Sequence, residues 1–176
     1  FRILALTVLS VGKTMSQVNP LKIAVTGVAG KMGRAVLSEL LDGAHPNTIL
    51  AGALHRKNSD YIGHDAASLA GLSECGILVS ADIPLVDVDV MIDFSLPEPA
   101  LAYLDACVSK SLPLIIGTTG FSAQQRSRIE EASKHIPLVL APNMSVGVNL
   151  SFFLLDHITR VMGAYSDIEI SESHHR

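Results

Sequence analysis

The 176-residue chain predicts an α/β fold, a parallel sheet with helices on both faces, followed by the start of an α+β mixed-sheet unit. Three observations carry this. Short apolar runs rich in β-branched residues end repeatedly at glycine, and segments with helical periodicity of ten to fifteen residues separate them, which is the signature of βαβ units. Hydrophobic residues make up 48% and charged residues 17%, too apolar for disorder, yet too interrupted by charge and glycine for a membrane protein. Strands buried on both faces read as continuous apolar runs, as these do. A net charge of −4 supplies no basic field for nucleic acid. The two cysteines, Cys75 and Cys107, have no metal-ligand spacing and form no disulfide framework, so both read as free thiols of a cytoplasmic protein.

"LKIAVTG" from Leu21 is a buried strand ending at Gly27. "GKMGRAVLSELLDG" then places Met32, Val36, Leu40 and Leu41 on one helical stripe and stops at Gly43. "NTILAGAL" is a second strand, and the polar stretch "HRKNSDYIG" follows it. "GILVS" and "VDVMIDFS" read as strands three and four. Pro97 opens the next helix in its first turn, with Leu101, Leu104 and Val108 facing inward. "LPLIIGTTG" is a fifth strand; Ser122 caps a polar helix running through His135, and "IPLVLAPN" is the sixth strand. Beyond Asn143 the pattern changes. "SVGVNLSFFLLDHITRVMG" is the longest apolar helix, with Phe152, Leu155, Ile158 and Met162 on one side, and "YSDIEISES" alternates strictly, as a half-buried strand does. The expected organisation is an extension over 1–20 outside the fold, a nucleotide-binding unit over 21–142, and the first part of a second unit over 143–176.

The loop after the first strand points to chemistry. Gly27-Val28-Ala29-Gly30-Lys31-Met32-Gly33 is a G-x-x-G-x-x-G run opening a helix. Gly27 permits the tight turn, Gly30 lets the backbone approach a pyrophosphate, and Gly33 lets helix pack on strand. The helix N-terminus offers free N–H groups and the positive end of its dipole to that anion. Lys31 and Arg34 add positive charge nearby. Such glycines occur in any tight turn, but after the first strand of a βαβ series they favour a dinucleotide and a Rossmann-type sheet.

The end of the second strand decides which dinucleotide is read. A carboxylate there binds the ribose 2′-OH of NAD, whereas arginine suits a 2′-phosphate. The residues present are His55, Arg56 and Lys57, so either NADPH is preferred or the turn is simply solvated and basic. Gly117-Thr118-Thr119-Gly120 and Ala141-Pro142-Asn143-Met144 close strands five and six on the same carboxyl edge, where open sheets bind ligands. Both read as contacts to the nicotinamide half or as plain turns.

The last residues, Ser173-His174-His175-Arg176, follow the alternating segment. Taken by themselves the histidines suit a proton-transfer site, a partial metal site or a polar strand end. Adjacent residues of a strand face opposite ways, which argues against a two-histidine metal site, and no metal is expected. At the other end, Phe1 to Met15 mimics a short signal core. It lacks a cleavage signal and is too short to span a bilayer, so it is expected to be dispensable for cofactor binding.

Taken together, "VTGVAGKMGR", "IDFSLPEPAL", "IIGTTGF", "APNMSVGVN" and "DIEISESHHR" closely resemble the 4-hydroxy-tetrahydrodipicolinate reductase family, also called dihydrodipicolinate reductases, over about residues 21–176. The resemblance implies a Rossmann-type domain, a mixed-sheet substrate domain, a cytoplasmic homotetramer and a role in lysine and diaminopimelate biosynthesis. It implies nucleotide contacts at Gly27, Val28, Ala29, Gly30, Lys31 and Met32, at His55 and Arg56, at Gly117, Thr118 and Thr119, and at Ala141, Pro142, Asn143 and Met144. It also implies His174 as the catalytic proton-exchanging residue and His175 as a contact to a small dicarboxylate substrate. The chain departs from the family at His55, where NADH-tolerant members carry an acidic residue, and at Met144, where many carry Phe. The family pattern continues past the histidines into a further histidine, a lysine proton donor and a Gly-Thr pair. The chain is therefore expected to be a fragment with little turnover of its own. Two other readings share the glycine loop: a different Rossmann-type reductase of an amino-acid precursor, and a non-catalytic NAD(P)H-sensing module. The discriminator is the run Glu172-Ser173-His174-His175-Arg176, which a generic Rossmann-type enzyme need not carry.

Overall fold

A computed structural model describes residues 19–82 and 86–171. The chain divides between Pro142 and Asn143 into two compact units.

The first unit is a six-stranded sheet. Its strands are β1 (Leu21–Thr26), β2 (Thr48–Leu54), β3 (Val79–Ser80), β4 (Val90–Asp93), β5 (Leu114–Ile116) and β6 (Leu138–Leu140), with helices α1 (Lys31–Leu41), α2 (Ala66–Leu69), α3 (Pro97–Ser109) and α4 (Ala123–Ala132) between them. The strand order is β3-β2-β1-β4-β5-β6, and every pairing is parallel. This is the Rossmann-type sheet that the alternation of runs predicts, with its order reversing between β1 and β4.

Alternation along each strand splits the core in two. Ala24 and Met91 pack with Leu101, Leu104 and Cys107 of α3 and Ile129 of α4. Their strand neighbours Ile23, Val25 and Ile92 pack with Leu37 of α1 and with Ala66 and Leu69 of α2. Helices therefore cover both faces of the sheet. On α1 the inward centre is Leu37, which is wholly buried, flanked by Val36, Leu40 and Leu41. Met32, expected on that stripe, is 53% exposed; it sits in the first turn, before the helix meets the sheet.

Local chemistry sets the helix ends. Ser122 caps α4 in a reciprocal box, its side chain accepting from Gln125 N while the Gln125 side chain accepts from Ser122 N. Pro97 stands at the start of α3. The short α2, which the polar stretch conceals, is held by Asp65. Its carboxylate accepts from the amides of Ala67, Cys75 and Gly76. Partial desolvation pushes that carboxyl up, but the amide donors outweigh it and hold the group below the usual range. The run "GILVS" yields only the two-residue β3, because Leu78 is drawn into an antiparallel bridge with Asp65 instead.

The second unit holds α5 (Val146–Met162), capped by Ser145, whose side chain accepts from Val148 N. None of its residues is buried. The alternating segment after it corrects the expectation of a strand, since residues 165–171 form none. A strand needs a neighbour for its N–H and C=O groups, and no strand of this unit is present among the described residues. His174 and His175 lie outside the described residues, as does the segment from Phe1 to Met15.

Candidate nucleotide-binding site

The carboxyl edge of the sheet carries a cleft of about 380 Å³ in the first unit. Its walls come from the loop after β1 (Gly27, Ala29, Gly30), from the turn after β2 (His55, Arg56, Tyr61), and from the segment after β4 (Phe94, Ser95, Leu96) with the facing Pro99 and Tyr103 of α3. The cleft lies where the strand order reverses, the position at which open α/β sheets take ligands.

The loop after β1 needs glycine for its own geometry at two points. Gly27 has φ +69°, and a Cβ there would lie 2.2 Å from the Phe94 carbonyl oxygen. A Cβ at Gly33 would lie 2.2 Å from the Gly27 carbonyl oxygen, so α1 can seat against the loop only without one. Gly30 differs. Its Cβ would meet only the Gly27 oxygen, at 3.2 Å, so the protein's own packing exerts little demand for glycine there. What the missing side chain leaves is room at the cleft wall, which suits close approach of a ligand to the backbone.

Helix α1 begins at Gly30 with no side-chain cap and no acidic residue in its first turn. Asp65, Ser122 and Ser145 cap α2, α4 and α5. An uncapped N-terminus leaves its first amides, here those of Lys31 and Met32, available to an anion, although neither residue lines the cleft. The Val28 side chain, in contrast, is wholly buried and its amide donates to the Leu54 carbonyl at 3.3 Å. Arg34 is also engaged by the protein. Nε donates to Ala29 O at 3.0 Å, Nη1 to Leu69 O at 3.0 Å and Nη2 to the Tyr61 hydroxyl at 3.2 Å, while the guanidinium lies 5.5 Å from the centre of the Tyr61 ring. Its positive charge braces the cleft wall from behind instead of lining it.

The turn after β2 brings His55 and Arg56 to the cleft, and it adds Tyr61. Tyr61 stands edge-on to His55, with ring centres 6.4 Å apart. Burial, with help from the Arg56 charge, holds His55 below its ordinary range. An incoming anion beside it would reverse that balance. At the other wall, burial pushes the Tyr103 hydroxyl up, and the Asp93 charge adds to the shift.

Gly117, Thr118, Thr119, Ala141 and Pro142 do not line this cleft. Gly117 is fixed by packing, because its Cβ would fall 2.0 Å from Cε1 of Phe94. Thr118 is buried, and its hydroxyl donates to Asp93 Oδ2 at 2.6 Å. Thr119 is exposed, and the Ala141 amide donates to Ile116 O at 3.1 Å. Asn143 and Met144 belong to the second unit, where Asn143 Oδ1 accepts from Ser145 N at 2.8 Å and Met144 is exposed. Sequence reasoning missed Phe94, Ser95, Leu96, Pro99 and Tyr103. The signal was available, since strand four ends on the same edge as strands five and six, but without a glycine to mark it.

Residues 21–144 match the family model described as dihydrodipicolinate reductase, N-terminus. The chain is 48% identical over 158 residues to the 4-hydroxy-tetrahydrodipicolinate reductase of Methylococcus capsulatus, covering 89% of this chain and 58% of the relative. It is 47% identical over 159 residues to the enzyme of that name from Neisseria meningitidis, with the same coverage. The chain thus spans a little under three fifths of the length of these curated relatives. Among solved structures, the dipicolinate-bound dihydrodipicolinate reductase of Paenisporosarcina sp. TG-14 matches with a TM-score of 0.55 at 20% identity, over 83% of this chain and 54% of that one; this shows a shared fold. By sequence, the chain belongs to the dihydrodipicolinate reductase family.

Proposed function

We propose that the chain supplies the NAD(P)H-binding part of a 4-hydroxy-tetrahydrodipicolinate reductase, with residues 21–142 as the nucleotide unit and 143–176 as the beginning of the substrate unit. The observation that carries this is the loop Gly27–Gly33. Two of its glycines are required by packing, the third leaves room at the cleft wall, and the helix behind it is uncapped.

When bound, the nicotinamide supplies a hydride to the cyclic substrate, and water is lost. The residues of this chain bind and orient. The amides at the start of α1 receive the pyrophosphate. Arg56 and His55 meet the adenosine ribose; the Arg56 charge, with His55 gaining a proton beside the phosphate, favours a 2′-phosphate over a free hydroxyl, so NADPH is preferred to NADH. The turns after β5 and β6, Gly117–Thr119 and Ala141–Met144, reach the nicotinamide half through backbone groups. His174 exchanges a proton with the substrate and His175 contacts one of its two carboxylates, as the family resemblance implies. The reading places the protein in the cytoplasm, as a homotetramer when it is part of the full-length enzyme. Among the described residues, no helix is long and apolar enough to cross a membrane.

Calorimetric titration of the chain with NADPH and NADH tests this. NADPH is expected to bind about ten-fold or more tightly, with proton uptake as its phosphate raises the depressed pKa of His55. Tighter binding of NADH would end the 2′-phosphate assignment, and binding of neither would end the nucleotide reading.

A further inference from the structure

Asp93, the last residue of β4, is completely buried. A buried carboxylate costs several kcal/mol unless it is paired or fully hydrogen-bonded, and among the described residues no cation forms an ion pair with it. Three hydroxyls satisfy it instead. Oδ1 accepts from Thr26 Oγ1 and, at 2.6 Å, from Ser95 Oγ. Oδ2 accepts from Thr118 Oγ1 at 2.6 Å.

The donors come from three separate places on the carboxyl edge. Thr26 ends β1 directly before Gly27, Ser95 follows β4 directly after Phe94, and Thr118 follows β5 directly after Gly117. Of those three neighbours, Phe94 packs against both glycines. The Phe94 carbonyl closes on Gly27 and the Phe94 ring closes on Gly117. The backbone repeats the tie, since Phe94 N donates to Thr26 O at 3.4 Å and Gly117 N to Asp93 O at 2.8 Å. One carboxylate thus sets the relative positions of the turns after β1, β4 and β5. A carboxylate can do this because both of its oxygens only accept; an amide would present a donor to at least one of the hydroxyls.

In a sheet of this order the β1-β2-β3 half takes the adenosine side of a dinucleotide, and the half beyond the switch takes the other. We propose that Asp93 is a positioning residue for the nicotinamide half of the cofactor, an inference that rests on the NAD(P)H reading above. It does not touch the nucleotide. It fixes the Gly117–Thr119 turn beside Phe94 and withdraws the Thr118 hydroxyl from the ligand, leaving the backbone of the turn and the exposed Thr119 hydroxyl to make contact.

The test compares NADPH with 2′,5′-ADP, which carries the adenosine half alone, on the full chain and on Asp93→Asn, Thr118→Val and Thr118→Ser. Asp93→Asn and Thr118→Val are expected to weaken NADPH about ten-fold while holding 2′,5′-ADP within about two-fold, and Thr118→Ser to restore NADPH affinity. Should Asp93→Asn fail to fold, judged by its far-ultraviolet circular dichroism, the Thr118 pair decides the matter. Equal losses for both probes would reduce Asp93 to a general fold stabiliser and overturn the inference, as would unchanged NADPH affinity in Thr118→Val. If the unsubstituted chain binds neither probe and no NADH, the nucleotide reading fails and takes the inference with it; if it binds NADH alone, the comparison is made with NADH and 5′-ADP instead.

Discussion

Helices α3 and α5 look alike as sequence and differ completely as structure. Both are long and apolar, and proline in α3 is confined to its first turn. In α3, Leu101, Tyr103, Leu104 and Cys107 are buried against the sheet, and burial together with the Asp93 charge pushes the Cys107 thiol up to about 12. In α5, Phe152, Leu155, Ile158 and Met162 form an equally regular stripe and all are exposed. Periodicity reports which face a helix offers, while burial depends on whether the rest of the described chain supplies a surface for it. The parallel sheet supplies one for α3, whose buried residues share a core with Met91 of β4 and Leu114 and Ile116 of β5. Nothing in residues 143–171 supplies one for α5.

Substitutions can break or sharpen this contrast, and the largest effect belongs to the site that positions α3 at the cleft. Gly27→Val combines a positive φ with a collision against the Phe94 backbone; it is expected to cost at least about 3 kcal/mol and to abolish NADPH binding, read by chemical denaturation and titration. Next is a matched pair in the two helices. Leu104→Ala should destabilise the first unit by about 2–5 kcal/mol, whereas Leu155→Ala, at a residue 45% exposed, should stay within about 0.5 kcal/mol. A cost above 1.5 kcal/mol for Leu155→Ala, a threshold about three times that allowance, would mean that α5 buries this face in solution. The smallest effect compares caps. Ser122→Ala removes a reciprocal capping box and should cost about 1 kcal/mol, while Ser145→Ala removes a single bond of 3.4 Å and should leave the unfolding midpoint of the sheet unchanged.

The fold was legible where a residue type has one dominant physical reason to be present. Gly27 and Gly33 announced the first turn, Pro97 and Ser122 announced helix starts, and apolar runs announced β1, β2, β4, β5 and β6. Legibility failed where a tertiary partner decides. Leu78 alternates like a strand residue but bridges to Asp65, which shortens β3 to two residues. Tyr165 to Ser171 alternates just as well and forms no strand, because alternation marks a face and cannot provide a neighbour. Along the cleft, Gly27, Gly30, His55 and Arg56 could be picked out one at a time as lining residues. Arg34 was not, since a guanidinium beside a phosphate loop reads as a ligand contact until its three protein acceptors are seen. Nor was Asp93, whose three hydroxyl donors are far apart in sequence and meet only because β1, β4 and β5 lie side by side.

The aromatic residues around the cleft have an optical consequence. The chain has no tryptophan and only three tyrosines, so its near-ultraviolet emission is tyrosine emission. Two of the three, Tyr61 and Tyr103, line the cleft from opposite walls, while Tyr165 lies outside it. A ligand entering the cleft is expected to change the emission of Tyr61 and Tyr103, which a fluorescence titration reads directly. The protein therefore carries its own occupancy meter, readable without a label.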